Sequence, residues 1–327
     1  MINIKPTIFF RVDGNQLIGL GHLFRCVALS VSVKVDFQIV FVCKHIPRSV
    51  STQLKENGFL LNCISNESDF FNLLSSPSIV VLDGYGFDSD YQREIKRIGC
   101  KLVCIDDLHD KEFFADLIIN HAPGTLPIHY KAQSYTKFAL GIEYALLRAD
   151  FFKNTSLTRT FDLINKVFIC FGGSDTENIT LKVLSSVINF NFVTEIHIVC
   201  GSEFLYYDQI IEYQNQDFRL SVYKNLSAIQ LSELMNKCQL AIVPASTISL
   251  EAFVCQMIIL TGYTIDNQLG ILDGLSKFDC VYSIGDFNKV ELYEIEKQIE
   301  FFRNKTFHIQ RNFNSNEKWL NIFKELI

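Results

Sequence analysis

The chain has 327 residues, a formal net charge of −6 and 48% hydrophobic residues. That length suits two domains of ordinary size, and the apolar content is enough for packed cores rather than a disordered chain. An acidic balance with no basic run excludes nucleic acid as the main partner, and no apolar run reaches the roughly 18 residues a membrane helix needs.

Met1 to Pro6 carries no signal-peptide pattern and runs directly into an apolar strand, Thr7 to Val12. Gly19-Leu20-Gly21-His22 follows, and Val27 to Ser30 continues a helix, so a glycine-bearing loop joins strand to helix and ends on a titratable ring. Strands are then expected at Asp36–Cys43, Phe59–Cys63, Ser78–Asp83, Lys101–Asp106, Asp116–Asn120 and Lys137–Leu140. Helices are expected at Pro47–Asn57, ended by Gly58, at Glu67–Leu74, and at Asp88–Ile98, ended by Gly99. Such alternation predicts a parallel sheet with helices on both faces and a ligand beyond the carboxyl ends of the strands, where His22, Asp83, Tyr85 and Asp106 all fall. Lys153 to Asn165 is polar with little periodicity and reads as the domain boundary, giving an N-terminal domain of residues 1–153 and a C-terminal domain of 154–327.

The alternation restarts with strands at Lys166–Phe171, Glu195–Cys200, Phe218–Val222, Gln239–Val243 and Met257–Leu260. Helices are expected from Thr176, from Ser246-Thr247 and from Asp266-Asn267-Gln268. The last one, Glu317–Leu326, is amphipathic and suited to pack back on the N-terminal domain. The predicted fold is therefore α/β, two facing Rossmann-like domains with a cleft between them. Ten scattered cysteines without a Cys-x-x-Cys pair read as reduced core residues, which points to the cytoplasm and not to zinc.

Four loops carry the chemistry. Gly19-x-Gly21 is not the dinucleotide fingerprint, because position 24 is Phe24, and the chain has no P-loop. His22 either caps the helix or meets a ligand held by the loop. Phe171-Gly172-Gly173-Ser174-Asp175 either presents backbone amides to a phosphate or is a tight turn capped by Asp175 or Thr176. In Ser246-Thr247-Ile248-Ser249-Leu250-Glu251 a hydroxyl opens a helix, and Glu251 follows Thr247 by one turn on the same face. That carboxylate suits a ribose diol, the alternative being a solvated glutamate. Asn267 is either an N-cap or a sugar contact.

The stretch Gly19 to Cys26 resembles the signature of the UDP-2,4-diacetamido-2,4,6-trideoxy-β-L-altropyranose hydrolases of pseudaminic acid biosynthesis. Five further stretches agree in order: Asp83-Gly84-Tyr85-Gly86, Ile105 to Leu108, Tyr144-Ala145-Leu146-Leu147-Arg148, Phe171 to Asp175, and Ser246 to Glu251 with Asn267-Gln268. The resemblance implies a GT-B fold related to inverting UDP-sugar glycosyltransferases. It implies His22 as general base, Tyr85 beside the reacting sugar and Asn267 on the substrate. Gly172, Gly173, Ser174, Ser246, Thr247 and Glu251 would hold UDP, and Asp13, Gly19, Gly21, Arg25 and Gln268 complete the candidate substrate contacts. This sequence departs from the family pattern at Gly84, where a histidine or larger residue is frequent, and at Ile119-Asn120-His121, where Asp-Gln-Asn is frequent. Both places lie on the sugar side.

UDP is a good leaving group, so a single base near neutrality suffices and a glycosidase carboxylate pair is unnecessary. The expectation is a monomeric, metal- and cofactor-independent hydrolase that uses water as acceptor and inverts the anomeric carbon. It would act in nonulosonic acid synthesis for surface polysaccharide or flagellin glycosylation. The rivals are an inverting glycosyltransferase, expected to show an exposed apolar or basic patch that the sequence does not display, and a nucleotide-sugar-binding protein without turnover.

Overall fold

The apolar runs of the first half become one parallel sheet. In the computed structural model, which describes residues 5–15, 20–153, 158–173, 175–201, 204–311 and 316–327, the chain divides into two units. Unit 1 is Met1–Arg148 with Asn314–Ile327, and unit 2 is Ala149–Phe313. The division precedes the segment read as a linker because the 3-10 turn Ala149–Phe152 belongs to unit 2, where the Ser232 hydroxyl donates to the Asp150 carbonyl at 2.9 Å.

Unit 1 runs β1 (Thr7–Val12), α1 (Gly21–Val33), β2 (Gln38–Cys43), α2 (Arg48–Glu56), β3 (Leu60–Cys63), α3 (Glu67–Leu73), β4 (Ile79–Asp83), α4 (Ser89–Ile98), β5 (Lys101–Ile105), β6 (Glu112–Phe113), β7 (Leu117–Asn120), β8 (Lys131–Ala132) and β9 (Lys137–Leu140). Seven of these strands form a sheet in the order β3-β2-β1-β4-β5-β7-β9, all parallel, and β6 and β8 pair separately. Strand order reverses between β1 and β4, and a crevice opens at such a point. The two-residue alternation of strands sorts the side chains. Phe10, Val12, Val81, Val103, Ile105 and Ile119 pack with α1, whereas Phe9, Leu82, Leu102, Cys104 and Ile118 face α3 and α4. The Asp88 carboxylate accepts from Tyr91 N at the start of α4, and Gly99 ends that helix at φ +93°, both as the residue types predict.

Unit 2 runs β10 (Arg159–Phe161), β11 (Lys166–Ile169), α5 (Ile179–Val187), β12 (Glu195–Cys200), α6 (Tyr207–Gln216), β13 (Leu220–Lys224), α7 (Ala228–Lys237), β14 (Leu240–Pro244), α8 (Thr247–Val254), β15 (Ile258–Tyr263), α9 (Leu269–Leu275), β16 (Val281–Asp286), α10 (Leu292–Phe302) and β17 (Phe307–Ile309). Its six-stranded sheet has the order β13-β12-β11-β14-β15-β16, with the reversal between β11 and β14. The segment expected to be an irregular linker contains β10, which pairs antiparallel with β17. It is fastened by Arg159, whose guanidinium donates to the carbonyls of Asn236, Cys238 and Cys255. The C-terminal helix α11 (Asn316–Lys324) belongs to unit 1, where Trp319 and Phe323 join the core beneath α1. Among the described residues no helix is long and apolar enough to cross a membrane.

Candidate active site

The reversal point of unit 1 brings α1 over the end of β4. Helix α1 begins at Gly21 with Leu20 at the cap position and no side-chain cap, so His22 is not a capping residue. Its ring is buried, and Nδ1 lies 2.6 Å from Asp83 Oδ1. One turn on, Arg25 grips two carboxylates. Nε and Nη2 donate to Asp83 at 2.7 and 2.6 Å, and Nη1 and Nη2 donate to Asp107 at 2.8 and 2.9 Å. Arg25 Nη2 also lies 3.0 Å from His22 Nδ1. Both Nη2 hydrogens are directed at carboxylates, so that approach is a contact, and the Nδ1 proton goes to Asp83. This tautomer leaves Nε2 as the basic nitrogen.

Burial by itself would raise the Asp83 pKa. The opposing charge of Arg25 and the His22 contact override it and hold the carboxyl well below the usual range. Asp107 is lowered in the same way: burial opposes ionisation and the Arg25 charge outweighs it. Tyr85 stands at the open side, 45% exposed, with its ring edge-on to His22 at 5.0 Å between centroids. Its hydroxyl donates to Asp107 Oδ2 at 3.4 Å. The structure thus joins His22 and Tyr85 as expected, but the second acid of the cluster is Asp107 and not Asp106. Asp106 points to the other face of β5, where it accepts from His109 N. The signal was present in the alternation, since Asp107 shares parity with Val103 and Ile105 on the α1 face.

Other expected contacts have structural partners. Arg25 is committed to Asp83 and Asp107. Asp13 Oδ1 accepts from Lys44 N and His45 N, and its Oδ2 pairs with Arg11 at 2.7 Å, so it braces the ends of β1 and β2. Gly19 and Ser174 lie outside the described residues. Among the described residues a Cβ on Gly21 would meet nothing within 4 Å. Gly84, at φ +149°, has a Cβ direction that would press on the Phe87 ring at 3.2 Å, so a larger residue is strained there. The Tyr144 to Arg148 stretch is a packing element: Tyr144 contacts Trp319 of α11, Leu146 is in the core and Arg148 covers the Phe24 ring of α1.

In unit 2 the loops after β11 and β14 flank the reversal point. Helix α5 begins at Ile179, three residues later than expected, because Asp175 and Asn178 adopt positive φ in a turn. Asp175 accepts from Ile179 N and Thr180 N at 2.9 and 2.8 Å, so these first-turn amides are already used by the protein. Gly172 and Gly173 remain at the loop tip, and a Cβ on Gly201 would overlap Gly173 backbone at 2.4 Å, so the ends of β11 and β12 touch through glycine alone. Helix α8 opens differently: Ser246 makes no side-chain cap, and the amides of Thr247 and Ile248 precede the first intrahelical bonds. Glu251 is 4% exposed, which removes the solvated reading, and its charge reaches Cys170 at the end of β11. Gln268 Oε1 accepts from Thr264 N at 2.8 Å, securing the loop that presents the half-buried Asn267.

Two Rossmann-like α/β units, each with its reversal point ringed by loops, define a GT-B-type fold. The crystal structure of MurG from Acinetobacter baumannii is similar over 98% of this chain and 99% of its own, with a TM-score of 0.65 and 11% identity. No family model matches the chain. A protein of unassigned function from Methanocaldococcus jannaschii is 27% identical over 255 residues, covering 73% of this chain and 52% of the relative. The UDP-2,4-diacetamido-2,4,6-trideoxy-beta-L-altropyranose hydrolase of Campylobacter jejuni is 27% identical over 194 residues, covering 55% of this chain and 65% of the relative. The chain therefore spans between about half and two thirds of the length of these curated relatives.

Proposed function

We propose that the chain hydrolyses a UDP-linked diacetamido-trideoxyhexose, releasing UDP and the free sugar with inversion. The observation that carries this reading is the buried His22–Asp83 pair at 2.6 Å with Nε2 left basic. Similarity to the Campylobacter jejuni hydrolase supports the choice of substrate class. Water attacks the anomeric carbon while His22 Nε2 takes its proton. The C–O bond to the β-phosphate breaks, and its electrons leave with UDP. Asp83 keeps the tautomer and stabilises the imidazolium that forms, and Arg25 holds Asp83 in register, so Asp83 and Arg25 are positioning residues. The amides opening α8 and the Gly172–Gly173 tip suit the diphosphate, and Glu251 suits the ribose. Asn267 contacts the sugar. None of these steps calls on a metal or cofactor. All ten cysteines are free and all but Cys63 are buried, which fits a reducing compartment such as the cytoplasm. The free sugar would feed synthesis of a pseudaminic-type nonulosonic acid for surface glycans, with the enzyme acting as a monomer.

One observation favours the transferase alternative. Leu108, Leu126 and Ile128 are exposed on neighbouring loops of unit 1, where the His109 and His129 rings lie 5.8 Å apart. Exposed apolar side chains on these loops suit a lipid-linked acceptor. The deciding experiment incubates the protein with UDP-2,4-diacetamido-2,4,6-trideoxyhexoses, with chelator and without acceptor. It follows UDP and free reducing sugar, and NMR assigns the first-formed anomer. Hydrolysis predicts equal amounts of both and an inverted product. UDP release that requires an added acceptor would overturn the hydrolase reading.

A further inference from the structure

His121 lies outside everything the mechanism uses. It directly follows β7, and the Ile105↔Ile119 pairing of β5 with β7 sets its register. Carried two residues on, that register places His121 beside Asp107, and the alternation gives both the parity of the α1 face. The charges of Arg25, Asp107 and Asp83 act on its ring. The side chain is 3% exposed, and among the described residues its buried Nδ1 has no hydrogen-bond partner. A buried polar atom left unpaired is costly, and its exceptions mark places where a ligand or water completes the site.

The surrounding charge selects the ligand. Two ionised carboxylates, Asp83 and Asp107, face a single guanidinium, so this cluster repels an anion and disfavours the diphosphate there. A neutral hydrogen-bonding group fits. Resting on the hydrolase reading, we propose that His121 Nδ1 is the recognition point for a neutral substituent of the sugar ring, an acylamino group or a hydroxyl. His121 is then a specificity residue for the sugar.

The test is calorimetric binding in the His22→Gln background, so that turnover does not consume the donor. Three probes are used: UDP alone, a UDP-2,4-diacetamido-2,4,6-trideoxyhexose, and the same donor with hydroxyls in place of the acetamido groups. His121→Phe should lose roughly ten- to a hundred-fold of the diacetamido-donor affinity while UDP binds as before. His121→Asn, which keeps a polar atom near the Nδ1 position, should recover most of the loss. A loss confined to the acetamido donor assigns the acylamino group, and an equal loss with both donors assigns a hydroxyl. Unchanged donor affinity in His121→Phe, equal weakening of UDP and donor, or a donor that binds no better than UDP would overturn the proposal. Failure of the hydrolase reading appears separately, as absence of free sugar from the protein with His22 intact.

Discussion

Asp83 is fully buried and still ionised, because Arg25 and His22 compensate a burial that on its own would neutralise it. On the proposed hydrolase reading, that balance makes it the residue on which His22 depends as base. Asp83→Asn keeps the shape but allows the amide to donate to Nδ1, which moves the proton to Nε2 and removes the base. The expected result is a fall in kcat of roughly 10²–10⁴, close to that of His22→Gln, with KM little changed. Steady-state kinetics of both variants and of the double variant check it. If the two losses multiplied in the double variant, the residues would not act as one unit. Part of this cluster is legible in the sequence: His22 and Tyr85 stand at the helix start and strand end beside the reversal point of the sheet. The protein partners of Arg25 and Asp13 are not legible there, because a sequence displays a charge without its partner. The bidentate grip on Asp83 and Asp107 exists only once β4, β5 and α1 converge.

At the scale of elements, buried parallel strands were the most legible, since each is a short apolar run flanked by turn residues. Strand β10 lies in a segment that reads as linker in the sequence. Arg159-Thr160-Phe161 has too few residues to show a period, and its pairing with β17 spans a separation that no local pattern records. Helix α11 shows the reverse case, where amphipathicity in the sequence marks a face that the core needs. Phe323 is fully buried and meets Phe37 edge-on, and Trp319 lies beneath Tyr144. Phe323→Ala should destabilise unit 1 by about 3–5 kcal/mol, because the cavity opens in a core that includes α1. Urea unfolding that showed a loss below about 1 kcal/mol would mean that α11 is a surface appendage.

For the molecule as a whole, the pH dependence of stability follows from groups held in one protonation state. Burial, reinforced by the Arg25 charge, lowers the His121 pKa from 6.5 to about 4. Between these values the unfolded chain binds a proton that the folded chain does not, so folding is favoured less as pH falls. The contribution is complete above pH 6.5, declines through the interval and is gone near pH 4, and it amounts to on the order of 3 kcal/mol at most. His197 in unit 2, lowered first by burial, adds a slope of the same sign. The carboxylates act in a lower window. Despite burial, Arg11 and its neighbours take Glu67 from 4.5 to about 2, and Asp83 and Asp107 are also depressed, so their contributions persist above the ordinary carboxylate range and are lost only as pH drops below it. Two successive losses are therefore expected on acidification. Because His197 remains in place, His121→Phe isolates the upper one: its unfolding free energy should change less between pH 6.5 and 4.5 than that of the wild-type chain, whereas the decline below pH 4 should persist. Chemical denaturation at each pH measures the difference, and parallel curves for the two proteins through the upper window would show that His121 is not held neutral by the fold.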